Sequence, residues 1–257
     1  MYDKLKYGLI NALNWNSENK NLLLSEYFNN QSSIWSVFKE NNIYASNFQP
    51  KNLINTPLSN FLYEEKSTVP YISQEDLINA LSDSLFLENK FNFIYYPNID
   101  VIAHVFGVNS EEWIKEIKIF EELVKKITEL SNKKSYTVIS ADHGLTNVPK
   151  ENRFHITYNE NVNIYGDQRS VYINGSKKDI IEIFSKVPGQ LIDRSELNYL
   201  LPIPENDFIE SLYPDFCFLV EDKNIIYPHH LKTELAGYHG GLSTEEIKIP
   251  IIEISNF

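Results

Sequence analysis

The chain has 257 residues, 42% of them hydrophobic and 23% charged, the balance of an ordinary globular protein with room for one large domain or two small ones. Its net charge of −12 argues against a nucleic-acid surface, which needs clustered Lys and Arg, and is compatible with binding divalent cations. The single cysteine, Cys217, excludes an intrachain disulfide.

Cys217 lies in Asp215-Phe216-Cys217-Phe218-Leu219-Val220 and reads as core packing, since cysteine is among the most buried residue types. No apolar run reaches the ~20 residues of a membrane span. Met1-Tyr2-Asp3-Lys4-Leu5-Lys6 has no apolar signal segment, so a cytoplasmic location is the default expectation.

Residues 1–30 are polar and show no long helical stripe. From Ser32 to Asn42, the apolar residues Ile34, Val37 and Phe38 recur at helical spacing. Asn42-Ile43-Tyr44-Ala45-Ser46 follows as a short strand. Residues 47–73, with Pro50, Pro57 and Pro70, read as loop. A helix then starts at Ser73, capped with Asp76 three residues on, and Leu77, Leu81 and Leu85 line one face. The stretch 92–96 reads as a strand, and 110–131 as a helix whose Trp113, Ile117, Phe120, Leu123, Val124 and Ile127 form an amphipathic stripe. Thr137 to Ser140 is an apolar strand. Strand, helix and strand within about fifty residues predict a βαβ unit with parallel strands.

Residues 146–235 depart from that alternation and are expected to form a small α+β insert, a cap-like subdomain inside a single domain spanning 1–257. Within it, Arg169 to Ile173 reads as a strand turned by Asn174-Gly175, and Lys178 to Ser185 as a helix. Phe216–Glu221 and Asn224–Tyr227 suggest a hairpin around Asp222-Lys223. Ile249 to Ile254 closes the chain as a strand. The fold class is α/β, a mostly parallel sheet flanked by helices.

Chemistry concentrates in three stretches. Asp100 and His104 are four apart, which places them on one helix face, and a carboxylate with an imidazole is a common divalent-metal pair. Asp142-His143 follow the strand 137–140, at the carboxyl end where open α/β sheets bind ligands. His239 precedes Gly240-Gly241, glycines that let backbone approach a ligand closely. Taken singly, each also fits a plainer reading: a capping Asp beside a satisfied His, an Asx turn, a glycine turn. Weaker candidates are His155, a possible substrate contact or a solvated loop imidazole, and Arg169, suited to a phosphate or simply solvated. In His229-His230, adjacent side chains on an extended chain point apart, against a shared metal.

The order Asp-x-x-x-His (Asp100, His104), Ser-Ala-Asp-His-Gly (140–144) and His-Gly-Gly-Leu-Ser-x-Glu-Glu-Ile-x-Ile-Pro (239–250) resembles the alkaline phosphatase superfamily. Within it, the chain is similar to the type I phosphodiesterase/nucleotide pyrophosphatase family in an archaeal-looking form. The resemblance implies an alkaline phosphatase-like fold and metal-dependent hydrolysis of phosphodiester or nucleotide pyrophosphate bonds. It implies two divalent ions, zinc first and manganese second, with Asp100, His104 and His239 on one and Asp142 and His143 on the other. It also implies a phosphoester or nucleotide substrate. The family's remaining metal-binding aspartate and its nucleophilic Thr or Ser belong to a first strand and helix, whereas Met1-Tyr2-Asp3-Lys4 resembles an internal stretch.

The expectation is therefore an N-terminally incomplete domain whose nucleophile is absent and whose second metal site is incomplete. Such a chain would be the C-terminal portion of a hydrolase, giving only background turnover alone, with self-association or an N-terminal fragment as partner. The alternative is a non-catalytic metal-binding relative. Ser67-Thr68 is a poor replacement nucleophile, having no preceding strand and no correctly placed aspartate.

Overall fold

The computed structural model describes residues 2–3, 8–9, 33–63, 67–85, 89–131, 135–201, 207, 210, 213–228 and 234–256. After a two-residue pairing of Tyr2–Asp3 with Gly8–Leu9, the elements run α1 (Ile34–Glu40), β1 (Tyr44–Pro50), α2 (Pro57–Leu62), β2 (Thr68–Tyr71), α3 (Gln74–Leu85), β3 (Lys90–Ile94), α4 (Asn98–Phe106), α5 (Glu111–Leu130), β4 (Ser135–Ser140), β5 (Thr146–Asn147), β6 (Arg153–Ile156), β7 (Asn163–Gly166), β8 (Ser170–Asn174), α6 (Lys177–Phe184), β9 (Gly189–Asp193), α7 (Arg194–Leu197), β10 (Phe216–Val220), β11 (Ile225–Pro228), β12 (Gly237–Tyr238), α8 (Thr244–Ile247) and β13 (Ile251–Asn256). Most of residues 1–30 and the pair His229-His230 lie outside the described residues. No described helix is long and apolar enough to cross a membrane.

The chain divides into two compact units. The first comprises Met1–Pro97, Lys118–Thr137 and Glu253–Phe257; the second comprises Asn98–Ile117 and Val138–Ile252. In the first, three parallel strands lie in the order β2-β1-β3. Phe48 on the central strand is paired with Val69 and Ile94, and the three pack with Tyr71, Leu77, Leu81, Leu123, Phe120 and Ile127. Leu77 and Leu81 of α3 and Phe120, Leu123 and Ile127 of α5 thus pack against the sheet. On the neighbouring positions of β1, Asn47 and Gln49 are buried, with Gln49 Nε2 donating to Asn47 Oδ1 at 2.7 Å. Aromatic pairs Trp35–Tyr63, Phe38–Phe91 and Tyr63–Phe93 join α1 and the segment after α2 to β3.

The helix at Ser73 forms as the capping residues predict: Asp76 N donates to Ser73 Oγ, and Ser73 N donates to Asp76 Oδ2. The loop reading of 47–73 is corrected, because β1 runs on to Pro50 and both α2 and β2 lie in this stretch. Pro57 stands at the first helical position after the Thr56 cap, where its missing N–H costs nothing. Pro70 is in β2, an edge strand among the described residues, one of the few places a sheet tolerates it. The two strands flanking α5 are not neighbours among the described residues. β3 pairs with β1 rather than with β4, and β4 pairs with β13.

In the second unit, an antiparallel sheet runs β9-β10-β8-β7. Ile180 and Phe184 of α6 bury against Val171, Ile173, Phe218, Val220 and Ile226. Cys217 points to the other side, with Ile192 and Leu197, and burial pushes its thiol up to about 12. Two turn expectations are revised. Asn174-Gly175 leads into α6 through the Ser176 cap rather than closing a hairpin. β10 and β11 flank Asp222-Lys223 but join different sheets, since β11 pairs in parallel with β6.

Leu81 is fully buried in the first unit's core. Leu81→Ala is expected to lower stability by about 2–5 kcal/mol, the usual range for a buried leucine truncation, as read by urea unfolding.

Candidate metal centre

Helix α4 presents Asp100 and His104 one turn apart. Its C-terminal turn is gripped by the segment leading into β12. Ala236 N donates to the His104 carbonyl at 2.7 Å, and His104 Nδ1 lies 2.8 Å from the Gly237 carbonyl. A Cβ on Gly237 would stand 2.4 Å from the Ala103 carbonyl oxygen, so only glycine permits this approach. Two residues further, His239 faces His104, with ring centroids 5.1 Å apart. β12 also pairs with β5, Tyr238 opposite Thr146, which draws in the loop after β4. His143 from that loop stacks on His239 at 3.7 Å and 19°. The Asn147 side chain closes the frame by bonding both the N–H and the carbonyl of Val108, just past α4.

Asp100, His104 and His239 each offer a ligating atom, and these atoms lie within 4.8 Å of one another. The hydrogen-bond pattern says what they lack. A carbonyl only accepts, so His104 Nδ1 beside Gly237 must carry the hydrogen, which in the neutral ring leaves a lone pair on Nε2. That Nε2 lies 3.5 Å from Asp100 Oδ1, a buried carboxylate oxygen with no hydrogen-bond partner among the described residues. Two acceptors this close call for a proton or a metal ion between them. Asp142 and His143 repeat the arrangement: His143 Nδ1 lies 3.1 Å from the Gly144 carbonyl, and Nε2 is 3.7 Å from Asp142 Oδ1. Asp142 is far more exposed than Asp100, 82% against 38% at the side chain. Burial and then the neighbouring His143 hold the His239 imidazole below its ordinary range, and His104 adds to this. The Asp167 and Asp100 carboxylates oppose it. The neutral ring is the ligand form, so the donor set fits a divalent ion.

Beneath the turn of His239 lies a buried ion pair. Arg169 Nε and Nη2 meet the two carboxylate oxygens of Glu246 at 2.6 and 2.7 Å, and Nη1 donates to the Asn224 carbonyl at 2.6 Å. Arg169 is 1% exposed, so the expectation that it contacts substrate is corrected: its fork is spent on Glu246 and Asn224. Burial alone would raise the Glu246 carboxyl, but the bonds from Arg169 and from the Gly241 N–H hold it below the usual range. His155 is exposed on β6, its ring stacked against Tyr227. Sequence reasoning assigned no role to Glu246 or Asp167; Glu246 stood inside the quoted His-Gly-Gly motif, but its partner is 77 residues away.

The chain belongs to the type I phosphodiesterase/nucleotide pyrophosphatase family, whose sequence model matches residues 9–192, in the alkaline phosphatase superfamily. Murine ectonucleotide pyrophosphatase/phosphodiesterase 5 is similar over 86% of this chain and 63% of its own, at 16% identity and a TM-score of 0.64. The human protein of that name is similar over the same shares, at 12% identity and 0.63. Phosphonoacetate hydrolase from Sinorhizobium meliloti 1021 is similar over 86% of this chain and 68% of its own, at 12% identity and 0.61. At such identities the likeness is one of fold. This chain spans less than two thirds of the length of the two ectonucleotide pyrophosphatase chains. No curated protein matches it by sequence.

Calorimetric zinc titration is expected to show one site tighter than any other. His239→Ala should weaken it by more than the ~10–100-fold typical of losing an outer-shell partner, whereas Asp142→Asn should leave it in place. Equal loss from both variants would contradict the three-donor assignment.

Arg169→Met strands a buried carboxylate and is expected to cost about 3–5 kcal/mol in urea unfolding. The folded Glu246 pKa is depressed, so its contribution is complete above the unfolded value of ~4.3 and is lost as pH falls through the folded one. In the variant, protonation relieves the stranded charge instead. The stability gap between wild type and variant should therefore narrow as pH falls toward and below the unfolded carboxyl value of ~4.3.

Proposed function

We propose that this protein is a divalent-metal-dependent hydrolase of phosphodiester or nucleotide pyrophosphate bonds. Asp100, His104 and His239 hold one ion, and Asp142 and His143 contribute to a second. The observation that carries this reading is the repeated motif of an imidazole fixed at Nδ1 by a backbone carbonyl, its Nε2 facing a carboxylate oxygen at 3.5 or 3.7 Å. Ligand histidines in metal sites are held in this way. Imidazole with carboxylate suits zinc, with manganese as the alternative.

Bound there, a divalent ion would supply Lewis acidity toward a phosphoryl oxygen and lower the pKa of an attacking oxygen. The chain's own residues orient those donors. Gly237 sets the His104 tautomer, and β12 carries His239 into line with α4. The stacked His143 ring fixes the spacing of the two donor groups, and proximity of that kind is what in-line displacement needs. The nucleophile is not assigned to any of these residues. Thr68 belongs to β2 of the first unit, where Asn47 Nδ2 contacts its Oγ1 at 3.4 Å. The substrate class rests on the family, and on the murine relative, an inactive form of which is described in complex with AMP.

The test is AMP binding, followed by turnover of the chromogenic phosphodiester thymidine 5′-(p-nitrophenyl phosphate). AMP is expected to bind at least ~10-fold, or about 1.4 kcal/mol, more tightly with zinc than with EDTA, and the gain should vanish in His239→Ala. Zinc-independent AMP affinity would overturn the reading. Metal-dependent binding without turnover would favour the second reading, a non-catalytic metal-binding relative. Turnover abolished by Thr68→Ala would place the nucleophile in β2.

A further inference from the structure

The turn that carries His239 is held from below by groups that are not themselves donors in the cluster. Glu246 Oε1 accepts from Gly241 N at 2.8 Å and from Arg169 Nε at 2.6 Å. A Cβ on Gly241 would lie 2.8 Å from both Arg169 Nη2 and Glu246 Oε2, so the turn's backbone rests directly on the ion pair. The hydroxyl of Ser170, next to Arg169, donates to the Gly240 carbonyl. The pair is itself anchored. Val220 N donates to the Arg169 carbonyl, Ile226 N to the Gln168 carbonyl, and Arg169 Nη1 to the Asn224 carbonyl.

Glu246 reaches the other donor loop through its backbone. Gly144 N donates to the Glu246 carbonyl at 2.7 Å. At the same junction, a Cβ on Gly144 would fall 2.0 Å from the Glu245 carbonyl oxygen. One residue therefore holds the His239 turn with its side chain and the Asp142-His143 loop with its main chain. A buried ion pair is weak evidence for stability, since apolar residues of similar volume often serve as well; its best-attested use is to fix register.

We propose that Arg169 and Glu246 are positioning residues, a buried clamp that sets His239 against His143 and so fixes the spacing of the two donor groups. The inference rests on the metal-site reading above. The clamp contributes to zinc affinity through geometry. An apolar replacement that restores stability is therefore not expected to restore binding.

The test is the double variant Arg169→Met/Glu246→Leu in the full chain, with zinc as the probe. Removing both charges together leaves none stranded, so its thermal midpoint is expected within a few degrees of wild type. Its zinc affinity by calorimetry is expected to fall ~10–100-fold, as for lost outer-shell partners. The His143–His239 ring contact, seen as imidazole cross-peaks in NMR, should weaken with it. Arg169→Lys keeps the charge but not the fork and is expected to lose zinc affinity in the same direction, which keeps the test decisive should the double variant fail to fold. Wild-type zinc affinity and an intact ring contact in a folded clamp variant would overturn the clamp and leave the metal site standing. A wild-type chain that binds no zinc would overturn the metal reading and the clamp with it.

Discussion

The ion pair between Arg169 and Glu246 is the constraint on which the rest of the site depends. Both side chains are almost wholly excluded from solvent, where an isolated charge is costly unless paired and hydrogen-bonded. Here every charged atom has a partner. The guanidinium meets both carboxylate oxygens and the Asn224 carbonyl, and the carboxylate also receives the Gly241 N–H. Satisfying these charges leaves little freedom in the backbone above them. The His-Gly-Gly turn has one seat, α8 is held under it, and the loop leaving β4 is tied to the Glu246 carbonyl. The positions of His239 and His143 follow from a charge that must not be left alone.

Above the clamp, the chemistry follows from a second conflict, between acceptors. Gly237 commits the hydrogen of His104 to Nδ1, and the lone pair of Nε2 then faces a buried carboxylate oxygen. A third donor from His239 converges on the same place. A proton could separate one pair of acceptors, but three convergent donors are better satisfied by a metal ion. Burial first, and then the neighbouring His143 and His104 rings, lower the basicity of His239 against the pull of the Asp167 and Asp100 carboxylates. The neighbouring Asp142 is mostly exposed, so its carboxylate keeps its water and is the less committed donor.

Much of this was legible along the chain. Asp100 and His104 share a face because α4 forms around them, and a four-residue spacing says so directly. Asp142 and His143 follow an apolar strand, and His239 precedes two glycines. What stayed hidden was whatever depends on distant partners. Arg169 begins an alternating strand and looks like a solvated or ligand-binding arginine; only the fold reveals Glu246, 77 residues on. Pro50, Pro57 and Pro70 signalled loop, yet a strand end, a helix start and a sheet edge all accept proline. Asp222-Lys223 has the look of a hairpin turn, but β11 finds its parallel partner in β6, a long-range choice that local residues do not encode.

On the proposed reading, Asp100, His104 and His239 share one divalent ion. Anomalous X-ray scattering at the zinc edge, from crystals of the zinc-loaded chain, tests it most directly. The expected result is a peak with Asp100 oxygen, His104 Nε2 and a His239 ring nitrogen each at about 2.0–2.2 Å, the range for zinc with nitrogen and carboxylate ligands. Zinc bound elsewhere, with Asp100 Oδ1 and His104 Nε2 still facing each other across 3.5 Å, would contradict it.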